Sequence, residues 1–176
     1  MYIRKTTLQD IPSVIAILDY GRQVIRESGN TVQWQGNYPG VKDIEKDIKN
    51  DSSYVVVVDD SDDENQTDQK DLKEGSIVGT FCIQEVEELT YREIKGQWLN
   101  DDDYVTIHRI ASNQKLKGIG QFCMNYVKDN YSNIKIDTHE SNHAMIKLIE
   151  KSGFIYCGEI IVTDGTPRNA YQYFKK

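Results

Sequence analysis

Between residues 115 and 121 the chain reads Lys115-Leu116-Lys117-Gly118-Ile119-Gly120-Gln121, two glycines and two lysines where a strand pattern gives way to a helix pattern. Glycines there allow close backbone approach, and the unpaired N–H groups and positive end of the helix attract an anion. Pyrophosphate is the natural ligand of such a turn, with Lys115 or Lys117 adding charge-assisted bonds. Simple turn chemistry explains the same glycines, and a dinucleotide site needs a third glycine and a later acidic residue. A second pattern, His139-Glu140-Ser141-Asn142-His143, satisfies the H-E-x-x-H signature of zinc peptidases. That chemistry needs both histidines on one helical face. Ser141 or Asn142 is the natural N-cap, which leaves His139 outside the helix, and a third ligand is found only in Glu150 or Glu159.

These residues must be positioned by strands and helices legible in the pattern. Tyr2 to Thr6 alternates as a strand, and Thr7 can cap the next helix through its hydroxyl. Ile11, Val14, Ile15 and Leu18 recur at helical spacing, which predicts a helix to about Glu27. A Gly/Asn/Pro-punctuated loop holding Trp34 and Tyr38 precedes a short polar helix over Val41 to Lys49. The β-branched run Tyr54 to Val58 reads as a strand buried on both faces, with Ile77 to Ile83 its hairpin partner. Tyr104 to Ala111 and Ile134 to Asp137 read as strands, and apolar spacing from Lys117 and over Asn142 to Ser152 marks two helices. Tyr156 to Val162 and Ala170 to Phe174 close the series around a turn at Asp164-Gly165-Thr166-Pro167.

With 176 residues, 38% hydrophobic and 28% charged, the chain has the size and balance of one globular domain over residues 1–176. The net charge is −7, most of it in an acidic segment at 59–75 that is expected to be a flexible insertion between two strands. Neither the total nor the distribution supplies a basic face, so nucleic acid and anionic membrane surfaces are not expected partners. No apolar run is long enough to span a bilayer, and no signal-type segment follows Met1. Three separated cysteines, Cys82, Cys123 and Cys157, fit reduced thiols in the cytoplasm.

Strand, cradle, helix, strand, Asn-started helix and Gly-Phe stop follow one another from Tyr104 to Phe154, and that order resembles a GNAT acyltransferase. Lys115 to Gly120 stand where the family carries Arg/Gln-x-x-Gly-x-Gly/Ala, and Asn142 to Phe154 where it carries Asn-x-x-Ala-x-x-Leu-Tyr-x-x-x-Gly-Phe. His108-Arg109-Ile110-Ala111, Asp137-Thr138-His139 and Tyr156-Cys157-Gly158 are similar to a subgroup of small bacterial members. The resemblance implies an α/β fold, a mixed and mostly antiparallel seven-stranded sheet with a central splay and helices on both faces. It implies acetyl-CoA as cosubstrate, with no metal, and transfer of its acetyl group to a primary amine of a small molecule or peptide by direct attack in a ternary complex. The protein would act as a monomer or homodimer.

On that resemblance the cofactor-binding set is Ile110, Ala111 and Ser112 on the strand, Lys115, Leu116, Lys117, Gly118, Ile119, Gly120 and Gln121 at the cradle, and Asn142 at the next helix. The connection from Ala111 to Gly120 is about two residues shorter than in the subgroup. Anchoring from the helix side puts Lys115 at the basic position and keeps Cys123, Met124 and Val127 apolar-facing; anchoring from the strand side puts Lys117 there. Ile149 replaces the tyrosine that many members use as general acid. His108 is the candidate base, because histidine titrates near working pH, and a structural strand histidine is the competing account. Trp34, Tyr38 and His139 are candidate acceptor-binding residues. Core packing competes for the two aromatics, and local backbone bonding for His139 and Asp137. Asn142 is either a helix cap or a donor to the pantetheine arm, and Cys157 either an acylated nucleophile or a small buried hydrophobe. The rival functions are a noncatalytic acyl-CoA sensor and the zinc peptidase.

Overall fold

In the computed structural model, residues 1–59 and 72–175 are described. Eight strands form one sheet: β1 (Tyr2–Lys5), β2 (Ser53–Val57), β3 (Ile77–Gln84), β4 (Ile94–Gly96), β5 (Val105–Ser112), β6 (Asn133–Thr138), β7 (Ile155–Ile161) and β8 (Pro167–Phe174). Their order is β1-β2-β3-β5-β6-β8-β7-β4. Every pairing is antiparallel except β5 with β6. The expected sheet had seven strands; the eighth is β4, a three-residue edge strand on β7. Ile94-Lys95-Gly96 is too short to show alternation, so it carries no strand signal.

Four helices cover the sheet: α1 (Ile11–Glu27), α2 (Val41–Lys49), α3 (Ile119–Asn130) and α4 (His143–Lys151). The run in β2 explains their placement, since successive side chains of a strand point to opposite faces. Val55 and Val57 pack with Val14 and Leu18 of α1 and Ile44 of α2. Tyr54 and Val56 pack with Cys123, Met124 and Val127 of α3 and Ile149 of α4. Cys123, Met124 and Val127 are thus on the buried face of α3. Among the described residues no helix is long and apolar enough to cross a membrane. The acidic insertion expected at 59–75 falls mainly on 60–71, which lie outside the described residues.

The start of α1 differs from expectation. A single 3-10 turn at Leu8–Asp10 intervenes, and the Thr7 hydroxyl donates to the Asp10 carboxylate, 2.9 Å away, rather than accepting from the helix. Asp10 also accepts the Thr7 N–H and both terminal nitrogens of Arg4. The Arg4 guanidinium, with the Thr7 bonds, holds the Asp10 carboxyl down at about 2, against the ordinary 3.8. A carboxyl depressed on folding contributes stability that is complete above its unfolded value and is lost as pH falls toward 2. With Arg4 about a third exposed, solvent screening reduces this to about 1 kcal/mol. Asp10→Asn is expected to lower Tm at pH 7 and to leave it nearly unchanged at pH 2, as read by thermal denaturation at the two pH values.

Candidate functional site

The sheet opens where its parallel pair begins. β5 and β6 are in register only at Val105 with Ile134 and Thr106 with Lys135, yet β5 continues to Ser112 and β6 to Thr138. Beyond Thr106 the strands diverge into a fork. Facing β3, the ladder of β5 is also broken: Thr80 pairs with Ala111 and Cys82 with His108, so Arg109 and Ile110 together oppose Phe81. Arg109 has φ +55°, the left-handed region. Such a bulge leaves main-chain groups outside the ladder and costs an L-residue about 1–2 kcal/mol. The Arg109 guanidinium offsets that cost by pairing with the buried Asp47 carboxylate and donating to the Tyr38 hydroxyl, 3.2 Å away.

Two cavities open at the fork. The larger, about 570 Å³, has His108 and Arg109 of β5 and Asp137 and Thr138 of β6 on its wall, with Trp34 and Tyr38 from the loop after α1. Glu88, Thr90, Asp164 and Arg168 are among its other polar residues. The smaller, about 180 Å³, runs along Ile110, Ala111 and Ser112 toward Gly120 and Leu148. Ile25, Trp34, Ile110, Asn142 and Met145 belong to both walls and form a collar where the cavities adjoin. Trp34 is seated by Gly21 of α1, whose bare Cα leaves room for its ring: a Cβ there would lie 3.2 Å from Trp34 Cζ3.

The cradle at the head of α3 fits a pyrophosphate. Gly118 is the N-cap at φ +82° and no side chain caps the helix. Nothing lies within 4 Å of where a Gly118 Cβ would be, whereas one at Gly120 would meet Leu148 Cδ2 at 2.7 Å. The head of α3 is therefore uncrowded at Gly118, and Lys115 and Lys117 just before it are exposed. Not every expected residue offers its side chain. Ile119 is buried in the core and Leu116 packs against it, while the Gln121 amide donates to Asn125 and Ser152. These three can contribute main chain only.

On the acceptor side, His108 Nε2 is buried without a hydrogen-bond partner, 3.8 Å from Glu88 Oε2. Burial, with the Arg109 charge, lowers its pKa from the ordinary 6.5 against the Asp137 and Glu88 charges, which favours the neutral imidazole. The Asp137 carboxylate accepts the Tyr91 hydroxyl at 2.6 Å. Asn142 is a helix cap, its side chain accepting the Met145 N–H at 3.2 Å, and it lies on the collar, where its amide donates to Gln33 at 3.4 Å. Trp34 and Tyr38 stand on the wall, and Trp34 also packs against the core of α1 and β2. His139 does not; its Nδ1 is engaged by Ser141, in a local turn.

Three further expectations are settled by placement. α4 begins at His143 with Asn142 as its cap, so His139 and His143 do not share a helical face and the H-E-x-x-H geometry fails. Among the described residues no group of His, Cys, Asp and Glu is arranged to hold a metal. Cys157 is buried, with its thiol pushed up by that burial, and lies on neither wall, which removes it as a nucleophile. Ile149 is wholly buried in the core, so the family's tyrosine position offers no proton here. Sequence reasoning missed Glu88, Thr90 and Arg168 on the wall, which stand in no motif, and read Asp164 only as part of a turn and Arg109 only as part of a strand.

No family model matches the chain, and no curated protein does. Solved structures do. An acetyltransferase of the GNAT family from Streptococcus agalactiae is 30% identical over 99% of this chain and 95% of that one, with a TM-score of 0.84. A ribosomal-protein-alanine N-acetyltransferase from Brucella melitensis is 17% identical, covering 99% of this chain and 100% of its own, with a TM-score of 0.61. An aminoglycoside acetyltransferase in complex with coenzyme A and kanamycin is 17% identical over 98% and 94%, with a TM-score of 0.62. At their identity, the last two share the fold.

Proposed function

The chain belongs to the GNAT family of acetyltransferases, and on that premise we propose that it moves an acetyl group from acetyl-CoA to a primary amine by direct attack, with both substrates bound. The observation that carries this reading is the meeting of two cavities at the β5–β6 fork, one ending at a phosphate cradle and the other lined by a histidine and carboxylates. When bound, acetyl-CoA supplies an activated acyl carbon and a thiol leaving group of pKa about 8.5, which departs at neutral pH without a strong acid.

The chain's own residues do the rest. The first turn of α3 and Lys115 or Lys117 hold the phosphates. Ile110, Ala111 and Ser112 guide the pantetheine arm along β5, Asn142 meets it from α4, and the collar around Trp34 fixes where the acyl end stops. An alkylamine of pKa about 10 must lose its proton before attack. His108 accepts that proton, and the Glu88 and Asp137 carboxylates favour the imidazolium that results. Main-chain N–H groups freed at the Arg109–Ile110 bulge face the oxyanion that develops at the fork. The three free, buried cysteines are consistent with work in the reducing cytoplasm.

Mixing the protein with acetyl-CoA and a panel of amines, amino acids and peptides tests this reading. Thiol release matched by one acetylated amine per thiol supports it. Binding of acetyl-CoA with no release against any acceptor would favour the sensor instead. The collar makes a further prediction: Trp34→Ala enlarges the junction, so the kcat/KM ratio of butyryl-CoA to acetyl-CoA is expected to rise by about tenfold. Parallel initial-rate measurements with the two thioesters check it, and an unchanged ratio would remove Trp34 from the acyl end.

A further inference from the structure

His108 lines the larger cavity and Ala111 the smaller. Side chains alternate along a strand, so two residues three positions apart belong on opposite faces of a regular β5. The bulge cancels the odd step. His108 pairs with Cys82 and Ala111 with Thr80, so three steps on β5 match two on β3. Both residues therefore stand on one face of the sheet, the face on which Ala111 packs against the cluster of Val14, Leu18 and Val55. That arrangement passes through Arg109 at φ +55°, and such strain persists only where the surroundings enforce it. Asp47 of α2 is 3% exposed, and among the described residues Arg109 is its one ion-pair partner. A buried pair of this kind seldom adds stability over apolar packing. This one is also incompletely satisfied, because Arg109 Nε is buried with no hydrogen-bond partner. What the pair supplies is a fixed point for the bulge. The Tyr38 hydroxyl that takes the second guanidinium bond belongs to a loop that Arg22 of α1 tethers, donating to the Tyr38 and Pro39 carbonyls at 3.3 and 2.9 Å.

We propose that Asp47 is a positioning residue for acetyl transfer: through Arg109 it holds the β5 bulge, and so keeps His108 on the same face as the cofactor passage at Ala111. The proposal deepens the acetyl-transfer reading and rests on it. Asp47 lies on neither cavity wall, so its effect on the reaction is carried by Arg109. Without the carboxylate the guanidinium loses its anchor, nothing offsets the left-handed backbone, and β5 relaxes toward regular pairing with β3. His108 and the main-chain N–H groups of the bulge then move relative to the acyl end, while the head of α3 stays where it is.

Three measurements on Asp47→Ala and Asp47→Asn test the proposal: steady-state kinetics with whichever amine of the panel is acetylated fastest, calorimetric titration of acetyl-CoA, and crystal structures of both variants. Asp47→Ala is expected to lower kcat by at least about tenfold, to keep acetyl-CoA affinity within about threefold of the parent, and to show Arg109 outside the left-handed region. Asp47→Asn retains a carbonyl oxygen for the guanidinium and should recover most of kcat together with the bulge. Where the alanine variant fails to fold, Asp47→Leu combined with Arg109→Met removes the anchor without leaving a buried charge, and the same loss of kcat is expected. An unchanged kcat, or a kcat lost with the bulge intact, would overturn the proposal, as would a parallel loss of acetyl-CoA affinity, the mark of general damage to the sheet. A relaxed bulge in a protein whose parent acetylates no amine would uphold Asp47 as the anchor and count against the transfer reading.

Discussion

Replacing Gly120 with glutamate is expected to weaken acetyl-CoA binding by at least about 100-fold, an effect of nearly 3 kcal/mol. Two causes act together. A Cβ at this position meets Leu148 Cδ2 at 2.7 Å, and the added side chain then enters the smaller cavity, on whose wall Gly120 lies. Its carboxylate also stands at the head of α3, where it opposes the phosphates and takes up the N–H groups that would bind them. Gly120→Ala is the control. The tip of Leu148 is flexible enough to yield to one methyl, so alanine should cost much less than glutamate. Calorimetric titration of acetyl-CoA into the three proteins, each checked for an unchanged thermal transition, decides the matter. Equal affinity in all three would place the cofactor somewhere other than this cradle.

The second large effect belongs to His108. His108→Ala should lower kcat by about 10²–10⁴, the range ordinarily lost with a general base, while acetyl-CoA affinity stays within about twofold because the imidazole lies on the other side of the collar. The pH profile gives the sharper readout. Burial favours the neutral imidazole, so the acid limb of kcat/KM should lie below pH 6.5, where a protonated ring can no longer accept the amine proton. In His108→Ala that limb should vanish. A limb retained in the variant, or a rate left unchanged, would assign the histidine a structural place on β5 and pass the proton to another acceptor.

How far the site was readable from sequence follows from which residues advertise themselves locally. The cradle was legible because glycine at a left-handed N-cap answers a backbone requirement that few other residues meet, as Gly118 does at φ +82°. Asn142 was legible because a cap three residues before an apolar helical stripe has a fixed spacing, and the same cap dissolved the apparent zinc signature. The bulge at Arg109 gave no sign. An arginine in the left-handed region is held there by Asp47, which is 62 positions earlier, and such a long-range pairing leaves no local pattern. Glu88 was hidden for a different reason. It sits among Glu85, Glu87 and other polar residues that read as solvated surface, and only the packing of its loop against the fork turns it toward His108.

The fold shows the same division. The run Tyr54 to Val58 announced a strand covered on both faces, and both helical layers are present. The fork did not announce itself, because β5 and β6 each read as ordinary strands. Their divergence depends on pairing that lasts for two residue pairs and then stops. Divergence of this kind is a property of two segments together, which periodicity along one segment does not record. It is also the feature on which the proposed function depends, since a sheet closed at that point would leave no passage between the two cavities.

A crystal structure of the protein grown with acetyl-CoA tests the central claim most directly. The account predicts the pyrophosphate on the first turn of α3 beside Lys115 and Lys117, the pantetheine arm along Ile110 to Ser112, and the thioester at the collar of Ile25, Trp34 and Met145 with His108 beyond it. Acetyl-CoA bound elsewhere on the molecule, with the β5–β6 fork left empty, would contradict it.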